Sequence, residues 1–179
     1  MCAIFANRFI ISPATKEYTR VDKRIYPDFV PSFPNEPRSD KFKIITNPDK
    51  GEGIIALVSF RAGEIVFAFA GILLTEQTLH TLQYRPGQYV HDPLVMGKVL
   101  HSCEPNMVCN MENRTFTALR DIEAGEYITM DYESTEDVLF RPFVCGCGSQ
   151  KCRGIIRGRK VGEQKQKSRQ RQVAALSVR

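Results

Sequence analysis

Long apolar stretches are missing from this chain of 179 residues. No run approaches the ~18 consecutive apolar residues of a membrane-spanning helix, which argues against a protein that crosses a membrane in this way. The first eighteen residues, MCAIFANRFIISPATKEY, also lack the Lys/Arg-rich start and the long apolar stretch of a secretory signal. The sequence therefore predicts an intracellular protein, cytoplasmic or nuclear, that is not secreted and has no membrane partner.

Repeats of the solenoid kind are absent as well, and the length of the chain fits one domain with extensions. Hydrophobic residues make up 42% of the chain, which is enough to bury a core without a framework of disulfides. Because no export signal is found, the six cysteines fit free thiols and metal ligands in a reducing compartment better than disulfides.

Positive charge is concentrated at the C-terminal end of the chain. The formal net charge is +5, but from residue 153 onward nine basic residues stand against the single acid Glu163. A segment of this composition is commonly a solvated, flexible tail. The alternative is weak contact with nucleic acid or with acidic proteins. The nine basic residues are Arg153, Arg157, Arg159, Lys160, Lys165, Lys167, Arg169, Arg171 and Arg179.

Short β-prone runs, separated by turn sequences, dominate the body of the chain. A single short helix is predicted at residues 75–83, with Thr75 as its N-cap. The pattern predicts a mainly β fold of many short strands with few short helices. The predicted strands cover residues 42–46, 54–60, 65–69, 115–119 and 126–132.

Three cysteines near the C-terminus, Cys145, Cys147 and Cys152, have the spacing C-x-C-x4-C in a polar run. A tetrahedral zinc site needs four Cys or His ligands, so these three thiolates require a fourth ligand from elsewhere. Cys103, in the run His-Ser-Cys-Glu-Pro-Asn at 101–106, is the best candidate. The sequence therefore predicts one zinc ion (Zn2+) per chain, held by these four cysteines, which would fold the C-terminal segment over the 101–106 turn.

Four blocks of sequence, in this order, resemble a SET domain followed by its post-SET module. They are Gly-Glu-Gly at 51–53, the 101–106 run, Gly-Glu-Tyr-Ile-Thr-Met-Asp-Tyr at 125–132, and Phe-Val-Cys-Gly-Cys-Gly-Ser-Gln-Lys-Cys-Arg-Gly at 143–154. The resemblance covers roughly residues 41–156. It implies a β-clip-like SET fold of small sheets with a zinc-bound post-SET tail. It also implies an enzyme that binds S-adenosylmethionine and usually methylates lysine ε-amines in proteins.

With this resemblance the chain divides into four parts. Residues 1–40, which hold five of the ten prolines, are expected to form an irregular N-terminal arm. The SET domain is expected at residues 41–140, and the post-SET zinc module at residues 141–158. The flexible basic tail would follow at residues 159–179.

The resemblance also implies which residues bind the cofactor S-adenosylmethionine. Gly51 and Gly53 would let the backbone approach the methionine part closely, although a Gly-x-Gly run taken alone is more often a hairpin turn. The 101–106 turn would present backbone groups to the adenine edge, and residues beside the cysteines would cover the adenine. The implied cofactor-binding residues are Lys50, Gly51, Glu52, Gly53, Leu100, His101, Tyr132, Phe143 and Ile155.

Tyr132 is the implied catalytic residue, because it matches the tyrosine that ends the family's Asp-Tyr pattern. Its hydroxyl would orient an incoming amine opposite the methyl sulfonium, in a narrow channel to which Tyr89 would add another wall. The amine must be neutral to attack, and desolvation beside a cationic cofactor lowers its pKa from ~10.4. Without the surrounding blocks, Tyr132 would be an ordinary core tyrosine at a strand end.

Three departures from the family pattern keep other functions open. Leu100 stands where the family usually has Asn, Met130 stands where Phe or Tyr is common, and fewer than twenty residues separate the predicted helix from His101. The favoured function is S-adenosylmethionine-dependent methylation of a lysine in a protein substrate. The alternatives are an enzyme of the same fold with a small-molecule acceptor, and a catalytically silent module that binds a partner through its basic tail.

Overall fold

The computed structural model describes residues 23–49 and 51–161, in which short β-strands predominate, so the predicted mainly β fold is confirmed. The strands are β1 (Phe42–Asn47), β2 (Gly51–Ala56), β3 (Ile65–Ala68), β4 (Ile72–Leu74), β5 (Thr81–Arg85), β6 (Gln88–His91), β7 (Leu100–His101), β8 (Met107–Asn110), β9 (Thr115–Ala118), β10 (Thr129–Met130), β11 (Phe143–Val144) and β12 (Ile155–Ile156). Two 3-10 helices cover Met96–Lys98 and Tyr132–Ser134. Within the described residues no helix has the length and apolar composition that crossing a membrane requires.

The strands form five small sheets within the described part of the chain. β1 and β2 form an antiparallel hairpin, β4, β6 and β5 form one three-stranded sheet, and β3, β9 and β8 form another. β7 pairs with β10 in parallel, with Leu100 opposite Thr129 and His101 opposite Met130. This parallel pair brings the 101–106 run beside Tyr132.

Aromatic side chains fill the space between the sheets. Phe67 and Phe116 are fully buried with ring centroids 4.9 Å apart, and Phe42 stacks on Phe60 at 5.7 Å. Phe42 also meets Phe67 edge to face at 5.5 Å. Offset and edge-on contacts of this kind add about 0.5–1.5 kcal/mol per pair to the burial of the rings. The aromatic core thus joins β1, β3 and β9 into one body.

Residues 23–40 contain no strand but pack closely on the rest of the molecule. Tyr26 is 3% exposed, and its hydroxyl donates a hydrogen bond to Asp92 Oδ2 at 2.5 Å and accepts one from the Ala70 N–H at 3.1 Å. Asp92 in turn accepts from the N–H of Met96 at 2.9 Å, where a 3-10 helix begins. The segment thereby supports the loop that leads to β7. The predicted boundary at residue 40 and the other predicted boundaries stay predictions.

The helix predicted at residues 75–83 is wrong, and Thr75 caps no helix. A turn precedes Thr81, and β5 begins at that residue. The Thr78 N–H donates to the Thr81 hydroxyl at 3.0 Å, and that hydroxyl donates to the Thr78 carbonyl at 2.9 Å. Because these side-chain bonds close a turn, and β5 then pairs with β6, the local helix propensity of the segment is overridden.

Three of the predicted strands differ from the structure by a single residue at one end, and the other two differ by more. β2 ends at Ala56, whereas the sequence predicts a strand over 54–60, and Phe60 forms only an isolated bridge with Ile122. In the predicted strand 126–132 only β10 is a strand, and Tyr132 begins a 3-10 helix instead of ending a strand. The Asp131 side chain accepts from the N–H two residues later and caps this helix.

Some predicted features lie outside the described residues. They are residues 1–22 of the predicted arm, the predicted cofactor residue Lys50, and residues 162–179 of the predicted basic tail. Contact of that tail with nucleic acid or acidic proteins stays a prediction.

Candidate functional site

The four cysteines predicted to bind zinc lie together in the structure. The Sγ atoms of Cys103, Cys145, Cys147 and Cys152 are all within 4.8 Å of one another, and those of Cys103 and Cys145 are 3.8 Å apart. A zinc ion bound to four thiolates at ~2.3 Å in a tetrahedron sets sulfur–sulfur distances of roughly 3.8 Å. The donor set and its geometry therefore fit one zinc ion.

Backbone amides around the cluster favour thiolates, which are the form of cysteine that binds metal. Hydrogen bonds from the backbone N–H groups of Cys103 and Ser149 lower the pKa of Cys147, whereas burial raises the pKa of Cys145 to about 12 while no metal is bound. The Arg153 N–H donates to Cys103 Sγ at 3.4 Å. The β11–β12 hairpin brings these segments together, with the Cys145 N–H donating to a backbone carbonyl just before β12 at 2.6 Å. The loop thus turns its amide donors toward the sulfur atoms.

An ion-pair network that the sequence does not predict fastens the cysteine segment to the residues around Tyr132. The Arg153 guanidinium forms two hydrogen bonds with the Asp131 carboxylate, at 2.6 and 2.9 Å, and lies 3.0 Å from Glu133 Oε2. Glu133 Oε1 also accepts from two backbone N–H groups of the segment after β12, both at 3.2 Å. A bidentate pair is stronger and more directional than a single contact. In the sequence, this network is signalled by the two acids that flank Tyr132, Asp131 and Glu133.

His101, Tyr132 and Phe143 form a group of three rings beside the cysteines. The ring centroids are 5.2 Å apart for His101 and Tyr132, and 5.6 Å apart for His101 and Phe143. The Tyr132 N–H donates to His101 Nδ1 at 3.2 Å, so we assign the proton of the neutral ring to Nε2, which is 3.4 Å from Cys103 Sγ. Burial lowers the pKa of His101, which favours this neutral form. His101 therefore links Tyr132 to the cysteine cluster.

The proton of the Tyr132 hydroxyl is held in one direction by a hydrogen bond. The hydroxyl donates to the carbonyl oxygen of Val99 at 2.7 Å. Burial raises the pKa of Tyr132 to about 12, so the hydroxyl stays protonated at neutral pH. Because the proton is committed to Val99, the oxygen lone pairs remain to accept a hydrogen bond from a ligand.

A cavity of about 910 Å³ opens beside these three rings. Gly53, Tyr89 and Ile155 are absent from its lining. Tyr89 lies in β6, opposite residues of β4 and β5, so the structure does not bring it to the predicted channel. Ile155 lies in β12 and pairs with Val144, which lines the cavity in its place. The predicted site residues that do line the cavity are Gly51, Glu52, Leu100, His101, Tyr132 and Phe143.

The two glycines of the 51–53 run serve different purposes. Gly51 has φ +76°, a left-handed conformation that costs a residue with a Cβ roughly 1–2 kcal/mol. Gly53 has no such φ, but a Cβ there would lie 2.7 Å from Leu100 Cδ1 and 3.0 Å from Tyr127 Cε1. Gly53 therefore makes room for Leu100, which lines the cavity.

Gly51→Ala is expected to lower the free energy of unfolding by about 1–2 kcal/mol, because alanine must adopt the left-handed backbone. Urea unfolding measures this change. Gly146→Ala is the matched control: its φ is not in the left-handed region and no atom lies within 4 Å of an added Cβ, so its stability should be equal to or slightly above that of the parent. Equal stability of Gly51→Ala and the parent would contradict the role given to Gly51.

The sequence predicts Glu52 as a cofactor-binding residue but does not predict the other charged side chains of the cavity wall. Lys98, at the end of a 3-10 helix, forms an ion pair with the Glu52 carboxylate, and both residues line the cavity. Glu136 lines it as well. Lys98 and Glu52 lie 46 residues apart in the chain, so no local motif marks the pair. The wall of the cavity thus carries charges of both signs.

Comparison with known proteins matches the SET domain family model to residues 51–133. The methyltransferase flvH of Aspergillus flavus is 31% identical over 106 residues, which are 58% of this chain and 60% of that protein. The histone-lysine N-methyltransferase ash1 of Drosophila melanogaster is 31% identical over 139 residues, which cover 62% of this chain and 6% of that protein. This chain therefore spans less than two thirds of the length of either relative.

Solved structures with a similar fold include two of KRYPTONITE. One is a complex with mCHG DNA and SAH, with a TM-score of 0.54 and 18% identity, covering 64% of this chain and 28% of that chain. The other is a complex with mCHH DNA, an H3(1-15) peptide and SAH. Its TM-score is 0.53 at 19% identity, and the match covers 64% of this chain and 29% of that chain. At these identities the likeness shows the fold alone.

Proposed function

We propose that the protein is a SET-domain methyltransferase that uses S-adenosylmethionine and acts on the ε-amine of a lysine in a protein, because the SET domain family model matches residues 51–133. The observation that carries the proposal is that Tyr132, the β7 residues Leu100 and His101, and Gly51 converge on one cavity. Relatives that are named as methyltransferases support the same class of reaction.

The cavity suits the methyl donor in volume and in charge. Its volume of about 910 Å³ lies within the range of small-ligand sites. The rings of Phe143 and His101 offer a surface for an adenine. Glu52 and Lys98 offer one partner each for the ammonium and the carboxylate at the amino-acid end of the donor. The SAH in the two KRYPTONITE structures, which is the donor without its methyl group, supports this assignment.

We assign the four-cysteine cluster to a structural zinc ion in a post-SET module. Four thiolates leave no open coordination position, so the metal would hold structure together and take no part in the reaction. It would keep Phe143 against the rings of His101 and Tyr132. An intracellular, reducing compartment would keep the thiolates available for the metal.

Tyr132 would position the methyl acceptor. Bound S-adenosylmethionine supplies a methyl group from its sulfonium to an amine that attacks in line. The lone pairs of the Tyr132 hydroxyl would accept an N–H of that amine, while the Val99 carbonyl keeps the hydroxyl in place. Most of the rate gain in such a displacement comes from alignment and from exclusion of water, and both are tasks of the cavity walls.

Calorimetric titration of the zinc-loaded protein with S-adenosylmethionine is the first test. We expect one-to-one binding, which would establish that Leu100 is compatible with the donor. Incubation with methyl-labelled donor and lysine-containing proteins then tests transfer, and label on lysine would support the proposal. No binding at millimolar donor would overturn the methyltransferase function and favour a silent module that binds a partner.

A small-molecule amine is the second candidate acceptor. Between β4 and β7 the chain forms only the β5–β6 hairpin, a 3-10 helix and connecting loops, so little wall is available for a long peptide. The relative flvH is named only as a methyltransferase, whereas ash1 is named for histone lysine. Label confined to small molecules of a cell extract, with none on protein, would favour this acceptor.

A further inference from the structure

Glu136 is an acid that lines the cavity although only 2% of the residue is exposed. It follows Tyr132 by four residues, and its N–H donates to the Tyr132 carbonyl at 2.9 Å. Burial, and to a smaller extent the charge of Glu136, raises the pKa of Tyr132 to about 12. Glu136 and Tyr132 therefore line the same cavity.

The direct hydrogen-bond partners of the Glu136 carboxylate in the described chain are all neutral. Oε1 accepts from the Gln83 N–H at 2.6 Å and from the Thr135 hydroxyl at 3.2 Å. Oε2 accepts from Gln77 Nε2 at 2.7 Å. Because each carboxylate oxygen can accept two hydrogen bonds, Oε2 has room for one more donor.

Among the residues that the structure describes, no cation forms an ion pair with Glu136. Two cations that follow β12 are engaged with Asp137 instead: Arg159 Nε lies 2.6 Å from Oδ1, and Lys160 Nζ lies 2.7 Å from Oδ2. Burial raises the pKa of Glu136, because the charged form loses its hydration, and the charge of Arg159, which is too distant for an ion pair, opposes this rise only in part. Buried charges in proteins are normally paired, since an unpaired one is costly. The cavity is the side from which a counter-charge can arrive.

We propose that Glu136 binds the positive charge of the methyl acceptor, so that the acceptor enters the cavity as an alkylammonium ion and passes one proton to the Glu136 carboxylate before the neutral amine attacks the methyl group. The inference rests on the proposed function of the same cavity and narrows its acceptor to a cationic amine. An ammonium that donates to Oε2 would supply both a hydrogen bond and a positive charge that forms an ion pair with the Glu136 carboxylate. The cavity also suits an alkyl chain, because Leu79, Phe140 and Val144 line it and are each more than half exposed.

The ammonium group of the methyl donor has the same chemistry as that of the acceptor. Glu52 lines the same cavity beside Gly51, where the amino-acid end of the donor is placed. Glu136 follows Tyr132, which is placed beside the acceptor. We therefore assign Glu136 to the acceptor, and the experiment has to distinguish the two ammonium groups.

Binding of n-butylammonium chloride, with 1-butanol as the neutral probe of equal chain length, tests the proposal without methyl transfer. NMR titration of the full chain, with and without saturating S-adenosylhomocysteine, should give at least about tenfold preference for the ammonium. Glu136→Gln should abolish this preference and leave the affinity for S-adenosylhomocysteine unchanged. Glu76→Gln, the same change at an exposed position outside the cavity lining, should keep the preference.

Three results would overturn the proposal. They are equal affinity of the parent protein for both probes, an undiminished preference in Glu136→Gln, and a loss of S-adenosylhomocysteine affinity in that variant. If Glu136 had a purely structural role, Glu136→Gln would lower the affinity for both probes equally. The ratio of the two affinities therefore separates a structural role from binding of the positive charge. The ratio in the parent protein is decisive even where the variant does not fold. Failure of the parent to bind the methyl donor would overturn the proposed function but leave the probe ratio measurable.

Discussion

Replacement of Tyr132 by phenylalanine is expected to slow methyl transfer by about 100-fold or more, because the amine loses the acceptor that aligns it. The hydrogen bond to the Val99 carbonyl is lost as well, so the free energy of unfolding should fall by about 1 kcal/mol. Affinity for the methyl donor should change little, since the retained ring still packs beside His101 and Phe143. Single-turnover transfer of labelled methyl groups, urea unfolding and calorimetric titration measure the three quantities.

Tyr89→Phe is the matched control for this experiment. The sequence places Tyr89 on the channel wall, whereas in the structure it lies in β6 and is absent from the cavity lining. Removal of its hydroxyl should therefore leave the rate of methyl transfer close to that of the parent. Full activity of Tyr132→Phe, or loss of activity in Tyr89→Phe alone, would mean that the catalytic hydroxyl is assigned to the wrong residue.

The features that the sequence predicts well are those carried by residues close together in the chain. The spacing of Cys145, Cys147 and Cys152 indicates a metal site, and the need for a fourth ligand points to Cys103. The structure brings the four Sγ atoms together. Leu100 and His101 meet the segment before Tyr132 through the parallel pairing of β7 with β10, which follows from the fold that the motifs imply.

Contacts between distant segments account for what the sequence does not predict. The segment 75–83 has the composition of a helix, yet the Gln83 N–H meets Glu136, 53 residues later, from within β5. Arg153 likewise reaches back 22 residues to Asp131. Lys98 and Glu52 meet because a 3-10 helix packs near β2. Local propensity and hydrophobic pattern identify neither partner in such pairs, because these contacts depend on the packing of whole elements.

Cys147→Ser is expected to reduce bound zinc from one ion per chain to nearly none, because three remaining thiolates do not complete the tetrahedral site. β11 and β12 have two residues each, so the hairpin between Phe143 and Ile156 depends on the metal for much of its order. Its amides should therefore exchange with solvent much faster than in the parent. Elemental analysis measures the zinc, and hydrogen exchange measures the order.

Cys109→Ser separates loss of the metal from loss of a thiol. Cys109 lies in β8 outside the cluster, and burial raises its pKa to about 12, so it is a neutral thiol and the variant should keep one zinc per chain. In Cys147→Ser the ion pairs of Arg153 with Asp131 and Glu133 remain, so the segment should stay attached while Phe143 loses its fixed position. Affinity for the methyl donor should then fall because one wall of the cavity is no longer held. A zinc-free parent protein with full amide protection between β11 and β12 would contradict the metal assignment, because the hairpin would then be ordered without it.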